Sequence, residues 1–172
     1  LRELIENLMD SSKFKAGTMS MTFQPVRVDT LLKDIALRAK SFHENLQIDV
    51  RIIHPGLQIQ ADPSRLAQVF DNLVSNAVKY APGSRIAITM DKVEDKTRIT
   101  LRDYGPGISC EHLDKIFNRF YRVNQHHPAR GSGLGLYICR MIVEGHQGTI
   151  QAESTPGRGT VFTIDLPCEF KS

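Results

Sequence analysis

The sequence predicts an α+β fold in which a mixed β-sheet is covered on one face by helices. Three observations predict it. Strand-like and helix-like stretches come in runs, without the strict alternation of a parallel α/β protein. One long amphipathic stretch opens with Asp62-Pro63, an N-cap followed by proline at the first helical position, and continues to about Tyr80. Short alternating stretches at 86–90, 98–103, 149–153 and 160–166 read as half-buried strands. With 172 residues, 41% hydrophobic and 24% charged, the chain is long enough for one well-formed core.

Taken in order, Leu1, Leu4, Ile5, Leu8 and Met9 fall on one helical stripe through their i, i+3, i+4, i+7 spacing. That stripe needs a partner and opens without a cap, so residues 1–20 are expected to be the end of a longer helix, finishing near Gly17, plus a linker. The chain is expected to be a fragment whose main domain spans 21–172. An extended stretch at 23–28 leads to Asp29, placed to cap a helix carrying Leu31, Leu32, Ile35, Ala36, Ala39 and Phe42. A strand is expected at 48–53, ending at Pro55-Gly56. The helix after Asp62 stops at Pro82-Gly83. The strands at 86–90 and 98–103 are joined through a charged turn. Residues 110–117 fit a helix, and 118–132, lacking sustained apolar periodicity, read as a mobile loop. A last helix runs from about Leu134 to Glu144, with Leu134, Ile138, Met141 and Ile142 inward, before the two final strands.

The composition excludes several classes. A net charge of +3 arises from 22 basic residues mixed among 19 acidic ones, without a basic run, so nucleic acid is not indicated. No stretch approaches the ~18 uninterrupted apolar residues of a membrane span. The start, Leu1-Arg2-Glu3-Leu4, has no signal-peptide character, so a soluble, cytoplasmic piece is expected. Cys110, Cys139 and Cys168 form no C-x-x-C pair and read as reduced thiols. His126-His127 has no third ligand at suitable spacing, so a metal site there is not expected.

Four segments carry chemistry. On the helix after Asp62, Asn72, Asn76 and Lys79 fall within an arc of about 60°. Carboxamide oxygens are hard ligands suited to Mg²⁺ beside substrate phosphates, and Lys79 can neutralise phosphate charge; a solvated helix face is the plain alternative. Along 98–103 the period of two sets Asp103 at the end of the apolar row Ile99, Leu101. A buried carboxylate there must accept hydrogen bonds, and an adenine amino group is a suitable donor; an exposed turn aspartate is the alternative. Gly131-Ser132-Gly133-Leu134-Gly135-Leu136 stands before a helix, where free N–H groups and the helix dipole favour phosphate. It follows a polar loop rather than a strand and has no Gly-Lys-Ser/Thr, so it is neither a dinucleotide fingerprint nor a P-loop, and a flexible hinge is the alternative. Phe117 and Phe120 can anchor the mobile loop while Arg122 reaches a phosphate; core packing is the alternative for the rings. By itself Gly157-Arg158-Gly159-Thr160 reads as a tight turn.

Taken together and in order, these segments resemble the ATP-binding fold shared by histidine kinases, gyrases and mismatch-repair ATPases. Asp71-Asn72-Leu73-Val74-Ser75-Asn76-Ala77-Val78-Lys79-Tyr80 looks like the N box of sensor histidine kinases, and Asp103-Tyr104-Gly105-Pro106-Gly107-Ile108 like their first glycine box. Phe117-Asn118-Arg119-Phe120-Tyr121-Arg122 resembles the F box, residues 131–136 the second glycine box, and Gly157-Arg158-Gly159-Thr160-Val161-Phe162 the last. Residues 4–17 also look like the helix and linker that precede this domain.

The resemblance implies a two-layer sandwich with a mostly antiparallel sheet, and an ATP lid between the F box and the second glycine box. It implies the end of a dimerisation helix and linker over 1–20, and a catalytic ATP-binding domain over 21–172. It implies Asn76 for Mg²⁺, and Asn72, Lys79 and Arg122 at the phosphates as catalytic groups. Tyr80 would lie beside the nucleotide, with Asp103 on the adenine amino group and Thr160 assisting. Gly105, Gly107, Ile108, Phe120, Gly131, Ser132, Gly133, Leu134, Gly135 and Leu136 would complete the ATP pocket and lid. The sequence departs at Tyr104, where the family often has asparagine, and in the long 124–130 loop. Hydrolysing members of the superfamily carry a glutamate one turn before the magnesium asparagine; here it is Asn72, and an amide is no general base at neutral pH. The implied activity is therefore phosphoryl transfer from Mg-ATP to a histidine of a dimerisation domain outside this chain, then to a response-regulator receiver domain. His43-Glu44 lacks the acceptor motif's proline and is not expected to be the acceptor. The parent would be a homodimer and this piece a monomer. A serine kinase of the anti-sigma type and a nucleotide-binding module without phosphotransfer stay as alternatives.

Overall fold

A computed structural model describes residues 20–43, 45–123 and 131–168. Its elements are β1 (Gln24–Arg27), α1 (Val28–Phe42), β2 (Ile48–Ile52), β3 (Gln58–Ala61), α2 (Pro63–Tyr80), β4 (Ile86–Val93), β5 (Lys96–Asp103), α3 (Cys110–Leu113), α4 (Gly135–Gly145), β6 (Thr149–Thr155) and β7 (Gly159–Pro167). Five strands form one mixed sheet in the order β2-β4-β5-β7-β6, where only β2 and β4 run parallel. The mixed, mostly antiparallel sheet expected from the sequence is the one observed.

Alternation puts one apolar row of each strand on the inner face. Ile88 pairs with Leu101, Leu101 with Phe162, and all three are buried. The outer face carries Thr89, Thr100 and Thr163 in matching register, a polar row that leaves it without helices. Against the inner face pack Leu32 and Ile35 of α1, Leu66, Val69, Phe70 and Leu73 of α2, and Ile138 and Ile142 of α4. Each set recurs at helical spacing, so burial of one stripe per helix holds the layers together.

Two local devices orient the helices that matter for the site. Asp62 caps α2: its Oδ1 accepts from the Ser64 and Arg65 amides at 3.0 and 3.1 Å, and its Oδ2 from the Thr22 amide at 2.9 Å. His146, 1% exposed just past α4, accepts from the Asp62 amide through Nε2 at 3.0 Å and donates from Nδ1 to the Ile142 carbonyl at 2.7 Å. The start of α2 is thereby tied to the end of α4. Packed together, the two helices bring the last turns of α2 to the N-terminus of α4.

The structure corrects several expectations. Asp29 does not cap α1: the N-cap is Arg27, whose side chain makes no capping bond to the helix amides, and Asp29 sits buried in the first turn. The Arg27 guanidinium, 2.8 Å away, draws it there and holds its carboxyl well below the usual range, while the Gly56 amide adds a bond at 3.3 Å. Strand β3 was not foreseen; it pairs antiparallel with β1 in a separate two-stranded sheet. β4 and β5 extend past their apolar rows to Val93 and Lys96, because ladder bonds hold charged residues as well as apolar ones. The helix expected over 110–117 stops at Leu113 and continues as turns, with Lys115 and Asn118 amides bonding three residues back. The expected first helix and the 124–130 part of the loop, with His126-His127, lie outside the described residues. Among the described residues no helix is long and apolar enough to cross a membrane.

Candidate nucleotide site

Where the end of α2, the N-terminus of α4 and the ends of β5 and β7 converge, they enclose a cleft of about 270 Å³. One wall is helical: Asn72, Ser75, Asn76, Ala77, Lys79 and Tyr80 project from α2, followed by Ala81. Their spacing repeats the arc read from the sequence. The inward stripe, Leu66 to Ala77, anchors α2 so that this edge faces the cleft.

The second wall is the end of the sheet: Asp103, Pro106, Gly107 and Ile108 after β5, with Thr160 and Phe162 of β7. Asp103 is 8% exposed, and its Oδ1 accepts from the Gly105 amide at 2.9 Å and the Thr160 amide at 3.3 Å. Gly107 has φ +74°, and a Cβ there would collide with the Thr155 carbonyl, so only glycine lets this loop close on the β6–β7 turn.

The third wall combines Ile116, Tyr121, Arg122 and Val123 with Gly131, Ser132, Gly133, Gly135 and Leu136. Gly135 opens α4 beside Asn72: a Cβ on it would lie 3.6 Å from Asn72 Oδ1. Asn72 Nδ2 is buried and makes no hydrogen bond, and the Asn72 amide lies beside the thiol of Cys139. Burial pushes that thiol up to about 12, and Cys139 Sγ donates to the Val69 carbonyl at 3.6 Å. Tyr121 is held by its hydroxyl, 2.7 Å from His112 Nδ1.

Of the site residues expected from the sequence, Asn72, Asn76, Lys79, Tyr80, Asp103, Gly107, Ile108, Arg122, Gly131, Ser132, Gly133, Gly135, Leu136 and Thr160 meet in this one cleft. Three lie outside its lining. Gly105 stands behind the wall against Ala81, where a Cβ would collide, and acts through its bond to Asp103. Leu134 is fully buried in the core. Phe120 is 54% exposed in a left-handed conformation, φ +63°, its ring under the Arg119 guanidinium. Tyr104, the departure from the family pattern, also points elsewhere: it is exposed, with Arg102 4.6 Å over its ring. Ser75, Ala77, Ala81, Pro106, Ile116, Tyr121, Val123 and Phe162 line the cleft without having been singled out as site residues. Ser75, Ala77, Pro106, Tyr121 and Phe162 sit inside quoted motifs, but Ala81, Ile116 and Val123 carry no sequence signal that separates a pocket wall from core.

A layered α/β fold with this cleft at the end of its sheet defines an ATPase-type domain, and comparison with known proteins agrees. Residues 61–169 match the family described as "Histidine kinase-, DNA gyrase B-, and HSP90-like ATPase". The chain belongs to that family and is homologous to sensor histidine kinases. It is 34% identical over 171 residues to the sensor protein SrrB of Staphylococcus aureus (strain NCTC 8325 / PS 47), covering 97% of this chain and 29% of that protein. The chain thus spans under a third of the length of the curated relatives it matches. It is similar to the catalytic domain of the histidine kinase ThkA, with a TM-score of 0.76, 30% identity and coverage of 87% of this chain and 97% of that one. ThkA has also been solved in complex with the response regulator protein TrrA, where the TM-score is 0.76 at 26% identity, over 96% of this chain and 48% of that one. Full-length ShkA in complex with AMPPNP matches with a TM-score of 0.85 and 26% identity, over 96% of this chain and 35% of that one.

Proposed function

We propose that this catalytic domain binds Mg-ATP in the cleft and presents its γ-phosphoryl to a histidine on a dimerisation domain, for relay to a response-regulator aspartate. The observation that carries the reading is the convergence, in one cleft, of three α2 side chains, a glycine-rich helix N-terminus and a buried carboxylate. Asp103 would take the adenine amino group at the sheet end. The backbone from Gly131 to Leu136, at the N-terminus of α4, would take the phosphates. Lys79 and Arg122 would neutralise phosphate charge, and Tyr80 would lie along the nucleotide. The AMPPNP complex of the similar ShkA and the TrrA complex of ThkA support this assignment of ligand and partner class.

The donor set suits a divalent cation held jointly with phosphates. Asn76 and Asn72 supply hard amide oxygens, and among the described residues no three His, Cys, Asp or Glu side chains cluster as an all-protein cage. Mg²⁺ would neutralise charge on the transferred group and its leaving oxygen. The chain's own residues do the rest: Asn76 and Asn72 orient oxygens, α4 fixes the phosphate chain, and the cationic side chains offset developing charge. Asn72, being an amide, removes no proton from water, so transfer to an acceptor is favoured over hydrolysis.

Titration calorimetry with ATP, with and without Mg²⁺, on the chain and on Asp103→Asn tests the reading. Expected are saturable, Mg-sensitive binding and a loss of at least about ten-fold on substitution, because the amide turns a donor toward the adenine amino group. A folded chain that binds no ATP would overturn it. With radiolabelled ATP the chain alone is expected to stay unlabelled.

A further inference from the structure

Behind the second wall, on β6, Ser154 occupies a position that neither the motifs nor the cleft lining includes. Its Oγ lies 2.8 Å from the Gly159 carbonyl, 2.8 Å from the Ile108 amide and 3.0 Å from Thr160 Oγ1. A serine hydroxyl has one hydrogen and two lone pairs. A carbonyl only accepts, so the Ser154 hydrogen goes to Gly159. An amide only donates, so Ile108 takes one lone pair. The bond to Thr160 is then settled in direction: the Thr160 hydroxyl donates to Ser154.

This accounting closes around the base end of the cleft. The Gly105 and Thr160 amides both point at Asp103 Oδ1, the Ile108 amide at Ser154, and the Thr160 hydroxyl hydrogen at Ser154. Thr160, buried and in the lining, has lone pairs and no hydrogen left for a ligand. Beside it Asp103 Oδ2 accepts from no described residue.

We propose that Ser154 is a specificity-determining positioning residue: by fixing the Thr160 hydroxyl as an acceptor, it makes this end of the cleft a wall of acceptors that takes a purine 6-amino group and rejects a 6-oxo group. The inference rests on the reading of the cleft as a purine nucleotide site. Without Ser154 the Thr160 hydroxyl is free to rotate and donate, and a 6-oxo oxygen gains a partner. A site whose polar groups are directed at one partner discriminates against an analogue that leaves them opposed or unpaired.

The test is titration of the chain with ATP and with inosine triphosphate, which carries oxygen at position 6, in the presence of Mg²⁺, with circular dichroism to establish folding. The unsubstituted chain is expected to prefer ATP by at least about ten-fold. Ser154→Ala is expected to weaken ATP and strengthen inosine triphosphate, narrowing the ratio roughly ten-fold. Ser154→Thr, which keeps the hydroxyl, should retain the preference. In a Thr160→Val background Ser154→Ala should change both nucleotides by the same factor, since no hydroxyl remains to turn. Equal losses for both nucleotides in Ser154→Ala, or equal narrowing in the valine background, would mean that Ser154 only holds the wall in shape, and would overturn the proposal. If Ser154→Ala does not fold, Thr160→Val decides: ATP binding should fall several-fold while inosine triphosphate stays within about two-fold, and equal losses overturn it. A chain that binds both nucleotides alike overturns this proposal and leaves the nucleotide site standing. A folded chain that binds neither overturns the site reading and this proposal with it.

Discussion

The amide of Asp62 donates to Nε2 of His146 at 3.0 Å, joining the first residue of the α2 cap to the turn after α4, 84 positions away. The ring can do this only when neutral, with its proton on Nδ1 against the Ile142 carbonyl. A second proton on Nε2 would face the Asp62 N–H. Burial accordingly pushes the His146 pKa below its usual 6.5, against smaller upward pulls from the Ile142 carbonyl and the Asp62 carboxylate. A folded-state pKa below the unfolded one means that protons bind the unfolded chain better. The contribution is therefore complete above 6.5 and is lost as pH falls from there through the folded pKa. Urea unfolding from about pH 8 to about pH 5 should show this fall in the unsubstituted chain and not in His146→Leu, which also loses about 1–3 kcal/mol at neutral pH through the orphaned Asp62 amide. The same slope in both proteins would rule out His146 as its source. Asp29, held below 3.8 chiefly by its bond to Arg27, and Asp62, where burial pushes upward but hydrogen bonds from Ser64, Thr22 and Arg65 together outweigh it, lose their contributions only as pH falls below that value, beneath the interval of this titration.

Gly133 and Gly157 form a matched pair for testing the lid end of the cleft. Both have positive φ, +68° and +78°. A Cβ on Gly157 meets nothing within 4 Å, whereas on Gly133 it would stand 2.6 Å from the Phe120 carbonyl carbon. Gly157→Ala should therefore cost only the backbone penalty, about 1 kcal/mol. Gly133→Ala should cost more than about 2 kcal/mol or reshape the loop, and reduce ATP affinity at least ten-fold. Comparable effects of the two alanines on affinity would mean that the contact between Gly133 and the Phe120 backbone does not shape the cleft.

How much of this was legible depends on whether the signal was local. α2 could be read to its ends because cap, proline and apolar stripe lie within one segment. β3 could not, because a four-residue stretch becomes a strand only through its partner β1, some thirty positions earlier. Asp29 was read as a cap from its position, and the neighbouring Arg27 overrode that. Polar and glycine residues of the cleft were legible because such residues need a reason to recur at fixed spacing, while Ile116 follows the same periodicity as any core residue. Ser154 left no trace, since its role comes from three partners, two on β7 and one in the loop after β5.

The three thiols should separate by environment. Cys110 is exposed, Cys168 intermediate and Cys139 buried between α4 and α2, with its thiol pushed up to about 12. Because the thiolate is the reactive form, Cys139 should resist a disulfide reagent until the whole domain unfolds, while Cys110 reacts at a rate near that of a free thiol. Mass mapping of the labelled peptides checks this. Rapid labelling of Cys139 in native buffer would show that α4 parts readily from α2, and the fixed orientation of Asn72 would go with it.

Asn76 is the position at which the proposed cation binding can be tested apart from the proposed base binding. It lies on α2 between Asn72 and Lys79, on the helical wall of the cleft, and its amide offers an uncharged hard oxygen. Removing it in Asn76→Ala leaves Asp103, its amide bonds and the core stripe of α2 untouched. ATP binding without Mg²⁺ should stay within about three-fold of the unsubstituted chain, while the enhancement by Mg²⁺ should disappear. Asp103→Asn should behave in the opposite sense, weakening ATP with and without the cation and preserving the ratio between the two. The two substitutions act on groups that share no partner, so their effects on ATP affinity should add within about 0.5 kcal/mol. Loss of Mg-free binding in Asn76→Ala, with folding intact by circular dichroism, would place Asn76 on the nucleotide itself rather than on the metal.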